Sequence, residues 1–414
     1  MIKPISISLS PNTEKDDLLL ALKIIFQPWQ WKKCSKKNNS LAELEEEFKK
    51  YLSVRYAFSF NSGRSALTAI LKALNLAPKS EVLLQAFTCN AAVNPIIWSG
   101  LKPVFVDCRE KTFNIDPSDL RKKISSKSKA VIVQHTFGLA AEMDEIINIC
   151  RENNLILIED CAHALGALYD KRKIGTLGQV AFFSFSRDKI ISSVYGGLAV
   201  TNDSRLADQL QKIQAGYSYP CSAWIFQQLL HPVLMNLLIL PTYSVLGKYL
   251  LVLFQWLRIL SKAVHFKEKR GLKPSYFPKK LPCAMSCLAL NQFRKLEKFN
   301  KHRKKIANFY CQQLKNSPFI LPVETDQVYL RFALKHKKAH QIIRQAWQKN
   351  ILIGDWYDKV IAPRDTRLES MAYYPGSCPG AERLSKITFN LPTHINISEK
   401  EAKKIVNFIN KFDK

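Results

Sequence analysis

Acid is scarce in this chain. Its 414 residues carry 34 Asp plus Glu against 62 Lys plus Arg, a net charge of +28. Such a surplus favours acidic partners: nucleic acid, an anionic membrane surface or phosphorylated small molecules. Paired CxxC spacings are missing too. The ten cysteines are scattered singly, several in apolar runs, so they do not read as a disulfide framework and imply a reducing, intracellular compartment. No apolar h-region opens the N-terminus (MIKPISISLSPNTEKDD), which argues against secretion. Zinc-finger, RRM-like and helix-turn-helix signatures are lacking, so no nucleic-acid partner is expected, and no metal site is read. Low-complexity tracts and internal repeats are absent as well. With 47% hydrophobic and 23% charged residues the composition is globular, at a length suited to two or three domains.

Residues 1–50 read as an N-terminal helical segment. LAELEEEFKKY (41–51) has helical apolar spacing, acids early and lysines late, as the helix dipole prefers. From 51 to 216 short apolar runs alternate with amphipathic segments. Strands are expected at 82–84, 103–106, 130–134, 155–158, 181–185 and 198–201, with helices at 65–74, 92–98, 115–123 and 141–153. That alternation predicts an α/β domain with a largely parallel sheet.

The stretch 217–281 reads as an insertion. No Asp, Glu, Lys or Arg occurs between Lys212 and Lys248, and 223–260 holds only Lys248 and Arg258. Pro232 and Pro241 are expected to interrupt it, leaving no unbroken run of the roughly 20 residues a spanning helix needs. Residues 262–305 then carry 14 Lys or Arg against Glu268 and Glu297. An apolar hairpin followed by a basic stretch fits a helix pair lying in an anionic membrane face, and equally a buried insertion or a dimer interface. Residues 282–414 are expected to form a long helix (287–314) and a small α/β unit, with strands at 329–334 and 387–390 and helices at 338–349 and 398–412.

Three segments carry candidate chemistry at strand ends, where open α/β sheets build their sites. FSFNSGRS (58–65) is a glycine-containing turn opening a helix, a cradle for phosphate that also reads as a plain N-cap. LILIED (155–160) ends a buried strand in two acids, which need a cation or a helix to cap. FFSFSRDK (182–189) ends an aromatic strand in Ser184, Ser186 and Lys189. Singly each is ordinary. Together, a phosphate turn, a strand-end carboxylate and a lysine some 25–30 residues later are the parts that hold pyridoxal phosphate: the lysine bonds the aldehyde, the carboxylate keeps the ring nitrogen protonated.

In these motifs the chain resembles the DegT/DnrJ/EryC1/StrS family of pyridoxal-phosphate-dependent sugar aminotransferases. The likeness runs over about 40–210 and 282–412, in NSGRSAL (61–67), LKPVFVDCREKTFNIDP (101–117), IEDCAHALGA (158–167), IGTLGQVAFFSFSRDK (174–189), YGGLAVTND (195–203), CPGAERL (378–384) and LPTH (391–394). It implies a type I aminotransferase fold, with a large cofactor-binding domain at 51–216, a small C-terminal domain within 282–414 and the apolar helical insertion outside the family core. It implies catalytic roles for Lys189 (cofactor linkage and proton shuttle), Asp160 (ring nitrogen) and His163 (beside the ring and its phenolic oxygen). Ser62, Gly63 and Arg64 match the phosphate turn, Ser184 a further phosphate contact, and Gly196 and Gly197 the glycine pair after the lysine. Cys89 falls where the family stacks an aromatic ring, Arg64 replaces a threonine, and the family's Asn-x-Arg-Met-Ser segment reads Pro282-Cys283-Ala284-Met285-Ser286. The 355–363 loop is expected to shape the acceptor pocket.

The activity implied is amino transfer, from glutamate, to a nucleotide-linked keto-sugar in cell-surface polysaccharide synthesis. The implied state is a cytoplasmic homodimer, at the inner face of the membrane if 223–260 touches it. The alternatives are a dehydratase with the same cofactor and a non-catalytic membrane-surface protein on the same scaffold.

Overall fold

A computed structural model describes residues 3–35, 38–323 and 327–412. Seven strands form the central sheet: β1 (Tyr56–Phe60), β2 (Glu81–Gln85), β3 (Lys102–Val106), β4 (Ser128–Gln134), β5 (Ile156–Asp160), β6 (Val180–Ser184) and β7 (Gly197–Thr201), in the order β1-β7-β6-β5-β4-β2-β3. From β6 to β3 every pairing is parallel, while β7 runs antiparallel to both β6 and β1. Both faces of such a sheet are covered by helices, which is why its strands read as nearly continuous apolar runs. This is the type I aminotransferase fold that the motifs implied.

The six strands expected in this sheet come out where the apolar runs placed them, within one or two residues at each end, while the strand expected at 329–334 forms over Phe332–Lys335. β1 is not among the strands expected with bounds, although the 58–65 turn is placed at a strand end; Ser59 interrupts its apolar run. Glu45 accepts hydrogen bonds from both the Ser59 N–H and hydroxyl, at 2.8 and 2.6 Å, so a helix side chain satisfies what the sheet leaves open. Helix 63–73 begins at Ser62, whose hydroxyl caps the Ser65 N–H at 3.0 Å. Positions 65–71 are all buried, and the polar face of this helix is the narrow row Arg64, Thr68 and Lys72, of which only Lys72 is exposed.

Two expectations need correction. The long helix expected over 287–314 is two helices, Cys283–Phe293 and Leu296–Leu314. At the break Lys295 reaches Asp16 and Asp17 at 2.8 Å, and Arg294 reaches Glu43 and Glu47, so contacts distant in sequence turn the chain. Pro232, in turn, does not interrupt its segment. Helix Ser222–Leu234 passes through it and continues as a wider π turn over Met235–Ile239, with the Asn236 side chain donating to the Pro232 carbonyl at 2.8 Å. The result is an 18-residue helix apolar enough by composition to cross a membrane, 44% buried within the protein.

That helix packs on helix Lys15–Ile25, and Trp224 stands edge-on to Tyr195 at 5.3 Å. A second arm, Tyr243–Trp256, folds back along it. Beyond the sheet, Phe332–Lys335 and Thr388–Leu391 make a small antiparallel pair, backed by helices 339–348, 379–387 and 399–409.

Candidate active site

The C-terminal ends of β1, β5 and β6 open onto one cavity of about 560 Å³. Gly63, Arg64, Cys89, Asp160, His163, Ser184 and Lys189 line it; Ser62 does not.

The two acids that end β5 point to opposite faces, as strand geometry demands. Glu159 turns away from the cavity. It accepts from the N–H groups of Gly175 (2.9 Å), Leu177 (2.7 Å) and Gly178 (2.7 Å) and meets His135 Nε2 at 3.2 Å. Burial works against its charge, but His135 and those donors outweigh it and hold the carboxyl below its usual range. Cys161 lies beside them, and together these three residues have metal-like spacing. Both Glu159 oxygens are already engaged, Oε1 by the Leu177 and Gly178 N–H groups and Oε2 by the Gly175 N–H and His135, so the cluster reads as a structural lock. Asp160 faces the cavity. Its Oδ1 accepts from the Ala162 N–H at 3.0 Å, and its other oxygen takes no hydrogen bond from the described residues. Burial raises its pKa, with Lys189 and His135 pulling the other way. A raised, half-satisfied carboxylate facing a cavity wants a cation.

Lys189 follows β6 after a turn in which its N–H donates to the Ser186 carbonyl at 3.1 Å. Asn12 holds the next stretch by donating to the Ile190 carbonyl at 3.0 Å. Burial lowers the Lys189 pKa, so a neutral, nucleophilic amine costs less here than on the surface. Its Nζ stands 4.7 Å from the centre of the Trp356 ring. Arg331 stacks on the same indole at 3.3 Å and pairs with Asp188 at 3.1 Å. Trp356 also lies nearly parallel to His163, 5.3 Å between centroids. His163 is buried and its pKa is well below the ordinary value, through burial first and the Lys189 and Arg331 charges second. Its Nδ1 accepts from the Phe137 N–H at 3.3 Å, which puts the ring proton on Nε2, 3.4 Å from the Tyr357 hydroxyl.

The phosphate turn is held by close backbone approach. A Cβ on Gly197 would come within 2.4 Å of Gly63 N and Ser62 C, and one on Gly63 within 3.0 Å of Ser184 Cβ. The Ser62 hydroxyl is committed to capping, so the free donors at this helix start are the N–H groups of Gly63 and Arg64. Ser184 lies within reach of Ser186, hydroxyl to hydroxyl at 3.0 Å. Arg64 Nε meets the buried Glu268 at 2.7 Å, and its Nη2 donates to the Ala263 carbonyl at 3.0 Å. The charge that Arg64 brings in place of a threonine is thus already neutralised, by a carboxylate from the insertion. Cys89 forms part of the wall, in a short parallel pair with Ala362, and burial raises its thiol.

Sequence reasoning missed Arg331, Asp188 and the insertion's share of the wall. Arg331 carried no signal among 62 cations. The 355–363 loop does line the cavity, through Asp355, Trp356, Tyr357, Asp358, Ala362 and Pro363.

The chain spans about half the length of the curated relatives it matches first. One is the GDP-perosamine synthase of Caulobacter vibrioides, 37% identical over 174 residues, 42% of this chain and 47% of that one. The dTDP-3-amino-3,6-dideoxy-alpha-D-galactopyranose transaminase of Aneurinibacillus thermoaerophilus is 28% identical over 89% of both chains. Among solved structures, Helicobacter pylori PseC, an aminotransferase involved in the biosynthesis of pseudoaminic acid, superposes with a TM-score of 0.76 at 22% identity over 99% of both chains. The sequence model of the DegT/DnrJ/EryC1/StrS aminotransferase family matches residues 26–219 and 274–410 and skips the apolar hairpin between them. On that match, the chain belongs to the DegT/DnrJ/EryC1/StrS aminotransferase family.

Proposed function

We propose that this chain is a transaminase that uses pyridoxal 5′-phosphate to move an amino group from glutamate to a keto-sugar carried on a diphosphate, as in nucleotide sugars, in the synthesis of surface polysaccharide. The observation that carries the reading is that Lys189 and the half-satisfied Asp160 open onto one cavity, with the N–H groups of the 63–64 turn at the same rim. These residues fit the cofactor. Asp160 would hold the proton on the ring nitrogen, Lys189 would bond the aldehyde carbon, Gly63, Arg64 and Ser184 would take the phosphate, and His163 Nε2–H would donate to the phenolic oxygen. Cys89 would form the wall beside the ring. When bound, the cofactor supplies an electron sink for the C–H bond broken next to the amino nitrogen.

The chain's own groups do the rest. Lys189 Nζ, its pKa lowered by burial, takes and returns the proton. His163 stays neutral, as burial dictates, and so donates without adding charge. Trp356, clamped between Arg331 and His163, closes one side of the cavity against water. We further infer a cytoplasmic homodimer, supported by family membership, that touches the inner membrane face through 223–260, supported by the exposed apolar second arm.

The test is the absorption spectrum of purified protein with added pyridoxal phosphate, then borohydride reduction and peptide mapping. A visible band with the reduced adduct on Lys189, bleached by glutamate, is the expected result. An adduct spread over surface lysines would overturn the reading.

A further inference from the structure

The hairpin's second arm is amphipathic the wrong way round. Leu251 and Phe254 turn inward to pack with Met235, Ile239 and Leu260, while Val245, Leu246, Tyr249, Val252, Leu253, Trp256 and Leu257 are exposed, Val252 at 66% and Trp256 at 77%. Their spacing (245, 246, 249, 252, 253, 256, 257) is one unbroken stripe along a helix, directed outward. Seven neighbouring apolar side chains in water are a binding face.

Cations frame it. Lys248 stands exposed within the arm, and Arg258 follows its end. The strap that follows carries exposed Lys262, Lys267, Arg270 and Lys273, interleaved with exposed Phe266 and Leu272. Exposed Trp and Tyr in an apolar stripe with cations beside it match the headgroup boundary of an anionic bilayer. The stripe is not remote from the cavity. Gln255, between Phe254 and Trp256, lines it, as do Lys262, Ala263, Val264 and Lys269 of the strap. The strap is anchored on the active-site side: Glu268 to Arg64, Ser261 to Arg187, the Lys262 carbonyl to the Tyr195 hydroxyl at 2.8 Å, and the Gly271 carbonyl to Trp98 Nε1 at 3.0 Å. The exposed apolar stripe and the wall of the cavity are therefore one piece of chain.

We propose that the 222–271 insertion lays the protein on an anionic bilayer through this stripe and brings the cavity mouth to the headgroup layer, so that the amino acceptor is a keto-sugar diphosphate carried on a lipid. The inference rests on the transaminase reading and specifies the carrier of the diphosphate as a lipid. The sugar would enter the cavity, the diphosphate would meet Lys262 at the mouth, and the lipid chain would leave along the stripe beginning at Trp256.

The test is flotation of the cofactor-loaded protein with vesicles. Wild type is expected to float with phosphatidylglycerol/phosphatidylcholine vesicles and to stay down with phosphatidylcholine alone, each exposed cation adding roughly fivefold to binding. High salt should weaken binding toward the level seen with phosphatidylcholine alone. The double variant V252E/W256E, altered only at exposed positions, should stay in solution while keeping its reduced adduct on Lys189. Adding a polyprenyl diphosphate to phosphatidylcholine vesicles should restore flotation of wild type and not of Lys262→Glu. Wild type that never floats refutes the docking. A double variant that shifts from dimer to monomer without lipid refutes it in favour of an interface between copies. Flotation that ignores the polyprenyl diphosphate refutes the lipid-carried acceptor. Loss of the Lys189 adduct in wild type would instead sink the transaminase reading, a separate readout from flotation.

Discussion

Replacing Gly197 with alanine probes the phosphate turn without removing any functional group. The new Cβ would lie 2.4 Å from Gly63 N and Ser62 C and 2.5 Å from Ser62 O, all backbone, where ordinary contacts begin at 3.4 Å. The turn must therefore retreat from β7 by about 1 Å, the difference between 3.4 and 2.4 Å. Overpacking of this kind costs about 1–3 kcal/mol, against about 0.5–1 kcal/mol gained by removing a strand glycine. The net loss, about 1–2 kcal/mol, should lower Tm by a few degrees. The larger effect should fall on the cofactor, since a displacement of about 1 Å in a positioned site can cost roughly a hundredfold. Calorimetry of cofactor-free protein and a pyridoxal phosphate titration read the two separately. Gly216→Ala, at the end of helix 204–216 with nothing within 4 Å, is the control: it should leave cofactor binding unchanged and raise stability by up to about 1 kcal/mol. If Gly197→Ala binds the cofactor as wild type does, the close approach of β7 does not shape the turn and the argument fails.

Asp160→Asn should act with opposite signs on the two forms. Burial raises the Asp160 carboxyl, so the cofactor-free fold loses stability as pH climbs from the unfolded value, about 4, through the raised folded value; the amide should flatten that slope and be more stable at neutral pH in urea titrations. In the loaded protein the same change should cut turnover by roughly 10²–10³-fold, read by single-turnover kinetics with glutamate. Glu268→Gln leaves Arg64 without its buried partner and should cost about 3–5 kcal/mol, with faster hydrogen exchange over 263–271; adding Arg64→Met should recover part of the stability. Glu159→Gln weakens three charge-assisted bonds to the 175–178 turn and should lose about 1.5–3 kcal/mol in urea unfolding. A protein that gained zinc with wild-type Glu159 and lost it in the variant would contradict the structural assignment.

Much of the site could be read from local order alone. A glycine turn before a helix, an acid closing a buried strand and a lysine after an aromatic strand are local patterns. Local order also told the α/β alternation, because strand and helix periods differ in a short window. It could not say which of Glu159 and Asp160 faces the cavity, since both alternations suit a strand buried on two faces. Packing of the 175–178 turn against one face settled that. Nor could it show that Ser62 is consumed by capping, that Arg64 is neutralised by Glu268 from 204 positions away, or that Arg331 and Trp356 close the cavity. The break at 294–295 comes from side chains remote in sequence, Lys295 meeting Asp16 and Asp17, whereas the helix continues through Pro232 with a local bond, the Asn236 side chain donating to the Pro232 carbonyl. The apolar run at 213–247 was plain in composition, but composition has no inside. Only tertiary packing, which buries one arm of the hairpin against helix 15–25 and leaves the other facing solvent, determined that this stretch presents a surface.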